Sequence, residues 1–491
     1  MTTLTPTDNA IAPVSRDDLM GLLERQRKAY LAEGVASAET RISRIDRLLL
    51  AVVEAADALA ESLGGEYGSR PPALTKALDI LGCVGAAQEL RDNISKWMEP
   101  EVLAGGFIQR KPLGVVGIIG AWNFPIELTI HPAINALAAG NRVMIKFPDF
   151  HPKTGAILAA AVAEHLSPEE VTVVIGDLET AQAFSDLPFD HIVFTGSPAI
   201  GRRVAEAAGR NLVPTTLELG GKNPVVVAED ADIDLAAHRI AGTRMLNGGQ
   251  VCLCPDYVFV PRSQREGFVD KLVGELQTLY PDYATDGGVV SIVNDRNFDR
   301  VSALVEDAVG KGAQKVTVTT SQEPNDGERR IVPTVLVDVP EDATIAEEEV
   351  FGPVVSIHVY DELDEVIGYI NSRPSPLAAY WFGGQGDEFQ RFLAHATSGG
   401  VTANDIMTHQ MLGGAPFGGV GNSGTGAYHG KSGFDRFTHM RTVAIAEGDA
   451  GVSDGLVGPV LETDEFSAVI DATVAGARDD LRARVAGGGG S

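Results

Sequence analysis

The sequence predicts an α/β protein built on doubly wound, mostly parallel sheets. Three observations carry this reading. Short runs rich in Val and Ile recur from about residue 107 onward, stretches with apolar residues at helical spacing separate them, and turn residues mark the junctions. Parallel strands buried on both faces need crossover helices, and this alternation supplies them.

Residues 14–100 read as helices, with helical apolar spacing in RISRIDRLLLAVVEAADALAESL and again in ALTKALDILGCVGAAQELRDNISKW. GGEYGSRPP between them is a break, because glycine and proline interrupt a helix. PLGVVGIIG, NRVMIKF, VTVVIG, HIVFTG and NPVVVA then read as strands, with TGAILAAAVAEHL and AIGRRVAEAAG as helices among them. A second unit of similar style follows residue 220, with strands at DYVFVP, KVTVTT and PVVSIHVY. Beyond HMRTVAI the chain turns acidic and weakly patterned, and its GGGGS ending reads as a linker.

A length of 491 residues suits two or three packed units, and 44% hydrophobic with 22% charged residues is the balance of a soluble globular protein. The formal net charge of −28 argues against binding a nucleic-acid backbone. No apolar run approaches the roughly 18 residues that a membrane span requires. Three cysteines make no disulfide framework, and MTTLTPTDNAIAPV lacks the charged and apolar regions of a signal peptide. A cytoplasmic protein with free thiols is the expectation. No metal is expected either: a CxC pair has too few ligands for structural zinc, and HExxH is absent.

NGGQVCLCPDY, residues 247–257, holds two of the three cysteines. A free thiol ionises near pH ~8.5, so a nucleophilic cysteine needs a partner that promotes its thiolate and donors aimed at the oxyanion it creates. Asn123 in GAWNFP and Glu218 in LELGGKNP are candidates, although nothing local brings either to a cysteine. FTGSPAIG (194–201) is a strand-turn-helix suited to an anion, but it lacks both the GxGxxG spacing and the P-loop ending, so a plain turn reads equally well. IKFPDF (145–150) sets Lys146 and Asp149 at the carboxyl edge of a strand, where open α/β sheets bind ligands; taken alone, a solvated pair is the simpler reading.

Together, WNFP, FTGS, LELGGKNP, GGQVC, EEEVFGP and PFGGVGNSG stand in the order and rough spacing of the aldehyde dehydrogenase superfamily, which the chain resembles from about residue 105 to 443. LAAGNRVMIK and PFGGVGNSGTGAYHGKSGFDRFTH carry a likeness to the class-3-like branch that includes coniferyl aldehyde dehydrogenases. The resemblance implies a Rossmann-type cofactor domain (1–99 and 111–220), an α/β catalytic domain (221–432) and a small β oligomerisation arm (100–110 and 433–446). Residues 447–491 form an acidic tail that departs from the family ending.

By the same resemblance, Cys252 is the nucleophile, Asn123 and the Cys252 backbone N–H hold the oxyanion, and Glu218, 34 residues ahead of Cys252, activates water to hydrolyse a thioester. Cys254 is then a bystander. If the segment were extended, residues i and i+2 would lie about 6.6 Å apart, near the upper limit for a disulfide.

NAD is the implied cofactor, with NADP an alternative. Gly196 and Ser197 resemble the pyrophosphate contact, Glu349 the ligand of the nicotinamide ribose, Phe351 and Trp122 the ring pocket, and Lys146 the ligand of the adenosine ribose. Asp149 stands where glutamate is usual; a carboxylate there accepts from the 2′-hydroxyl and repels the extra phosphate of NADP. The implied substrate is a small hydrophobic aldehyde, aromatic, cinnamyl-type or medium-chain, oxidised to its acid by a homodimer. The rival readings are a catalytically silent family fold, a semialdehyde-specific member, and an acylating member that uses coenzyme A; Glu218 speaks against the last.

Overall fold

In the computed structural model, which describes residues 14–324, 327–446, 448 and 458–487, the predicted alternation becomes three sheets. The chain divides into two units, Met1–Glu99 with Arg110–Met440, and Pro100–Gln109 with Arg441–Ser491. The smallest sheet has three strands, β1 (Glu101–Leu103), β2 (Gly106–Pro112) and β16 (Thr438–Ala444), in the order β1-β2-β16. A helix, Gly430–Arg436, precedes that last strand.

The first unit contains a six-stranded and a seven-stranded sheet. The six-stranded sheet runs β15-β7-β6-β3-β4-β5, from β3 (Val115–Ile119), β4 (Arg142–Lys146), β5 (Val171–Val174), β6 (His191–Gly196), β7 (Thr215–Leu219) and β15 (Gly424–Thr425). All its pairs are parallel except the short β15, which pairs antiparallel with β7. Strand alternation explains its two cores: Val116, Ile118, Val143 and Ile145 face Leu48, Leu90 and Ile130, while Val115, Ile119 and Met144 face Leu19, Leu23 and Phe184. Each fully buried side chain of this kind contributes roughly 1.5–3 kcal/mol.

The seven-stranded sheet uses β8 (Asn223–Val227), β9 (Pro255–Pro261), β10 (Gln314–Thr317), β11 (Thr334–Val337), β12 (Val354–Tyr360), β13 (Ala378–Phe382) and β14 (Gly400–Ala403). Their order is β10-β11-β12-β9-β8-β13-β14, with β10 alone antiparallel. Strands β7, β11, β13 and β14 were not anticipated from the pattern. In TTLEL a buried glutamate interrupts the apolar run by which such strands are read.

The helical N-terminal region differs from expectation in detail. The first apolar stretch is two helices, Ala38–Glu54 and Ala56–Tyr67, and the break after them begins at Gly68, whose φ is +90°. The second stretch contains a π turn, Thr75–Ile80, before the helix Leu81–Trp97. In the tail, Asp464–Gly487 forms a 24-residue helix, with side chains exposed over 464–486 apart from a half-buried Phe466, where little patterning was expected. Among the described residues no helix is long and apolar enough to cross a membrane. The linker-like ending lies outside the described residues except for Gly487.

Candidate active site

The GGQVC segment is a turn held by its own backbone geometry. Asn247, Gly248 and Gly249 have φ of 51°, 66° and 76°, a left-handed run that glycine accommodates without a Cβ clash. A Cβ on Gly249 would stand 2.3 Å from the Gly352 carbonyl, so this glycine lets the GGQVC and EEEVFGP segments meet. Gln250, fully buried, donates to Asn247 O at 2.8 Å and Ser291 O at 3.1 Å and accepts from Val293 N at 2.9 Å. The Asn223 amide donates to the Cys252 and Cys254 carbonyls at 2.7 and 3.0 Å.

This framework separates the two cysteines. Cys254 is buried in the core under the seven-stranded sheet, and its Sγ donates to Thr243 O at 3.3 Å. Cys252 keeps accessible surface although it packs against the same core. All three cysteines are free. Burial pushes both thiols up, Cys254 to about 12, and for Cys252 the Glu349 and Glu218 carboxylates push further in the same direction.

Asn123, 3% exposed, donates its side-chain amide to Gln250 O at 3.1 Å, two residues before Cys252. Its carbonyl accepts from Arg70 Nη1 at 2.9 Å and Asn247 Nδ2 at 3.0 Å. Arg70 is in turn paired with Asp79 at 2.7 Å, both side chains fully buried. Asp79 lies on the π turn, and π turns recur at functional positions. Glu218 sits on β7, 4% exposed, and among the described residues neither carboxylate oxygen has a hydrogen-bond partner. Burial raises its carboxyl well above the usual range, against the opposing pull of Arg436. The sequence reading missed Arg70 and Asp79 altogether and gave no role to Asn223 and Gln250, although LELGGKNP and GGQVC contain them.

The other predicted residues lie along strand ends and turns. Lys146 ends β4, buried rather than solvated, and donates to Asp149 Oδ1 at 2.5 Å and Phe147 O at 2.8 Å. Ser197 caps the helix Pro198–Arg210, its hydroxyl accepting from Ile200 N, and Gly196 ends β6 just before it. Trp122 meets Phe351 edge-on at 5.2 Å, and Phe351 has a left-handed φ of 50°. The Glu349 carboxylate approaches Gly220 so closely that a Cβ there would stand 2.1 Å from Oε2. Burial first and Asp256 second push Glu349 up to about 8. A separate cleft of about 620 Å³, lined by residues including Phe298, Lys315 and Arg329, contains none of these residues.

A model of the aldehyde dehydrogenase family matches residues 11–443. The chain belongs to that family. This dehydrogenase is 40% identical over 442 residues to the coniferyl aldehyde dehydrogenase of Pseudomonas sp. (strain HR199 / DSM 7063), covering 88% of this chain and 92% of that one. It is 37% identical over 437 residues to the dimeric NADP-preferring aldehyde dehydrogenase of Rattus norvegicus, covering 86% and 93%. The substrate-bound Staphylococcus aureus AldH superimposes with a TM-score of 0.83 at 30% identity, covering 93% of this chain and 99% of that one. The NAD+ complex of Mycobacterium tuberculosis aldehyde dehydrogenase gives 0.81 at 28%, covering 90% and 92%. The enzyme is thus an oxidoreductase that converts an aldehyde to its carboxylic acid with NAD or NADP. Among the described residues no group of three or more His, Cys, Asp and Glu side chains could hold a metal ion.

Proposed function

We propose that Cys252, Glu218 and Asn123 carry out this oxidation on a hydrophobic aldehyde, aromatic, cinnamyl-type such as coniferyl, or medium-chain. The observation that carries the reading is the buried Glu218 carboxylate, which among the described residues has no hydrogen-bond partner on either oxygen. A buried carboxylate left without donors holds a proton more readily than a solvated one, as a general base requires.

Cys252 Sγ attacks the carbonyl carbon, its proton passes to Glu218 and then to solvent, and the carbonyl oxygen becomes an oxyanion. The Asn123 amide and the Cys252 backbone N–H donate to that oxyanion. Bound NAD or NADP supplies the acceptor for the hydride that leaves the tetrahedral carbon, so that a thioester remains. Glu218 next takes a proton from water as the water oxygen bonds to the thioester carbon. Collapse of the second oxyanion breaks the C–S bond and releases the acid.

The residues present fit a dinucleotide. Ser197 opens a 13-residue helix whose N-terminus favours a pyrophosphate, and Gly196 keeps that approach free of a side chain. Glu349, given room by Gly220, would hold the nicotinamide ribose, with Trp122 and Phe351 beside the ring. Lys146 and Asp149 would take the adenosine ribose, the carboxylate favouring NAD over NADP. We assign residues 1–99 and 111–220 to cofactor binding, 221–432 to catalysis, and 100–110 with 433–446 to a homodimer arm. A cytoplasmic location fits the free thiols.

NADH formation from coniferyl aldehyde, benzaldehyde, hexanal and acetaldehyde tests the assignment. Cys252→Ala should abolish turnover, and Cys254→Ala should keep most of it. The reverse pattern would overturn it, and a preference for acetaldehyde would remove the hydrophobic substrate.

A further inference from the structure

Beyond the oxyanion donor, one stripe of polar residues has no part in the chemistry above. Asn123, Glu127 and His131 recur every four residues along a segment that is already winding at Phe124, where Leu128 N donates to Phe124 O at 2.9 Å. Such residues stack on one face of a helix. The stripe therefore starts at the residue that meets the Cys252 loop and runs away from it.

Its outer part is a built wall. Glu127 Oε1 and His131 Nδ1 are 2.9 Å apart. The His131 ring stacks on His429 with centroids 4.0 Å apart and planes 14° from parallel, and His429 stacks on Phe417 at 5.1 Å and 21°. His429 is held there at a φ of +89°, a conformation costly for a residue with a Cβ and one that clusters at ligand sites. Tyr428 stands edge-on to His131 at 5.7 Å.

The wall and the reacting thiol share one core, in which Phe417 is buried. Phe124, at the start of the stripe, and Cys252 pack against the same core. The Glu127 charge acts on the Cys252 thiol, and the Tyr428 hydroxyl feels Glu127, Glu218 and Cys252 together. Burial raises the Glu127 carboxyl to about 7 and lowers His131 to about 4, so the imidazole is neutral and keeps one ring nitrogen for a ligand. The Glu127 side chain retains 23% of its accessible surface. Among the described residues Glu127 Oε2, His131 Nε2 and the Tyr428 hydroxyl make no hydrogen bond.

We propose that Glu127 and His131, backed by the His429–Phe417 stack, form a specificity subsite that hydrogen-bonds a hydroxyl carried by the distal end of an aromatic aldehyde. The subsite rests on the reading of Cys252 as nucleophile only for its orientation, aldehyde at Cys252 and hydroxyl at Glu127. His131 Nδ1–H donates to the Glu127 carboxylate, so a hydroxyl there donates to that carboxylate or to the free His131 Nε2 and accepts from the Tyr428 hydroxyl. An aldehyde lacking it leaves those buried polar groups without partners, which is the physical origin of strong discrimination.

The test compares kcat/KM for 4-hydroxycinnamaldehyde and cinnamaldehyde, which differ by one hydroxyl, in the wild type and in Glu127→Leu and His131→Phe. The wild-type ratio should exceed about tenfold and fall toward one in either variant. A wild-type ratio near one, or a ratio preserved in both soluble variants, would overturn the subsite. If the variants do not fold, Glu127→Gln serves in their place. The alcohols 4-hydroxycinnamyl and cinnamyl alcohol, which cannot react with Cys252, provide an independent measurement as competitive ligands. Tighter binding of the hydroxylated alcohol to the wild type, weakened in the variant, supports the subsite even if neither aldehyde turns over; equal binding contradicts it.

Discussion

Asn123 donates its amide to the Gln250 carbonyl across 3.1 Å, joining segments 127 residues apart in the chain and anchoring the turn that carries Cys252. The same amide is the side-chain donor assigned to the oxyanion. Asn123→Ala should lower kcat by about 10²–10³, the usual cost of losing one such donor. Stopped-flow NADH formation measures it; a kcat within about twofold of the wild type would remove Asn123 from the chemistry.

Gly220 and Glu349 are related by exclusion. A methyl group on Gly220 would meet the Glu349 carboxylate, the mobile end of a side chain, so Gly220→Ala should fold normally and displace the carboxylate. Loss of one charged hydrogen bond to a ribose corresponds to about a tenfold rise in Kd for NAD. Calorimetric titration of NAD checks this, and unchanged affinity would take Glu349 out of cofactor binding.

The Cys252 thiol is pushed up by burial and by carboxylates, so without cofactor it should be alkylated slowly near pH 7 and ever faster as pH rises, passing the free-thiol range near ~8.5 without a plateau. At a pH where Glu218 is ionised, Glu218→Gln removes one of those negative charges, lowers the thiol's pKa and should speed alkylation. Iodoacetamide kinetics followed by peptide mapping report both effects. A plateau below about pH 8 in the wild type would mean that a cation, not a carboxylate, governs the thiol.

The Arg70–Asp79 pair is wholly buried and supports the Asn123 carbonyl. Removing one partner strands the other charge, so Arg70→Met should destabilise the protein by about 3–5 kcal/mol and lower kcat as well. Urea unfolding and steady-state rates test the two halves of this expectation. A variant as stable and as active as the wild type would show that the pair is dispensable.

The legible parts of the fold and site share one property: they depend on local pattern. Strands such as Val115–Ile119 and Arg142–Lys146 announce themselves by unbroken apolar runs. Cys252, Lys146, Ser197 and Glu349 were singled out through the family resemblance of the motifs around them, and their roles belong to the proposal above. What could not be read depends on distance along the chain. TTLEL hides its strand because Glu218 sits buried within it. Arg70 and Asp79, from the helical N-terminal region, act on Asn123 through contacts that no periodicity encodes. The Lys146–Asp149 pair looked like a solvated surface feature because the burial of Lys146 is a product of packing. The tail helix Asp464–Gly487 carries acidic and apolar residues without a long apolar stripe, so its pattern gave little sign of a helix.

The most direct test of the central claim is to mix Glu218→Gln with NAD and hexanal and map the acylated residue by mass spectrometry. The account predicts about one equivalent of NADH, formed in a burst, together with a hexanoyl adduct on Cys252 that persists because the base for its hydrolysis is gone. Sustained turnover without an adduct, or acylation at Cys254, would contradict it.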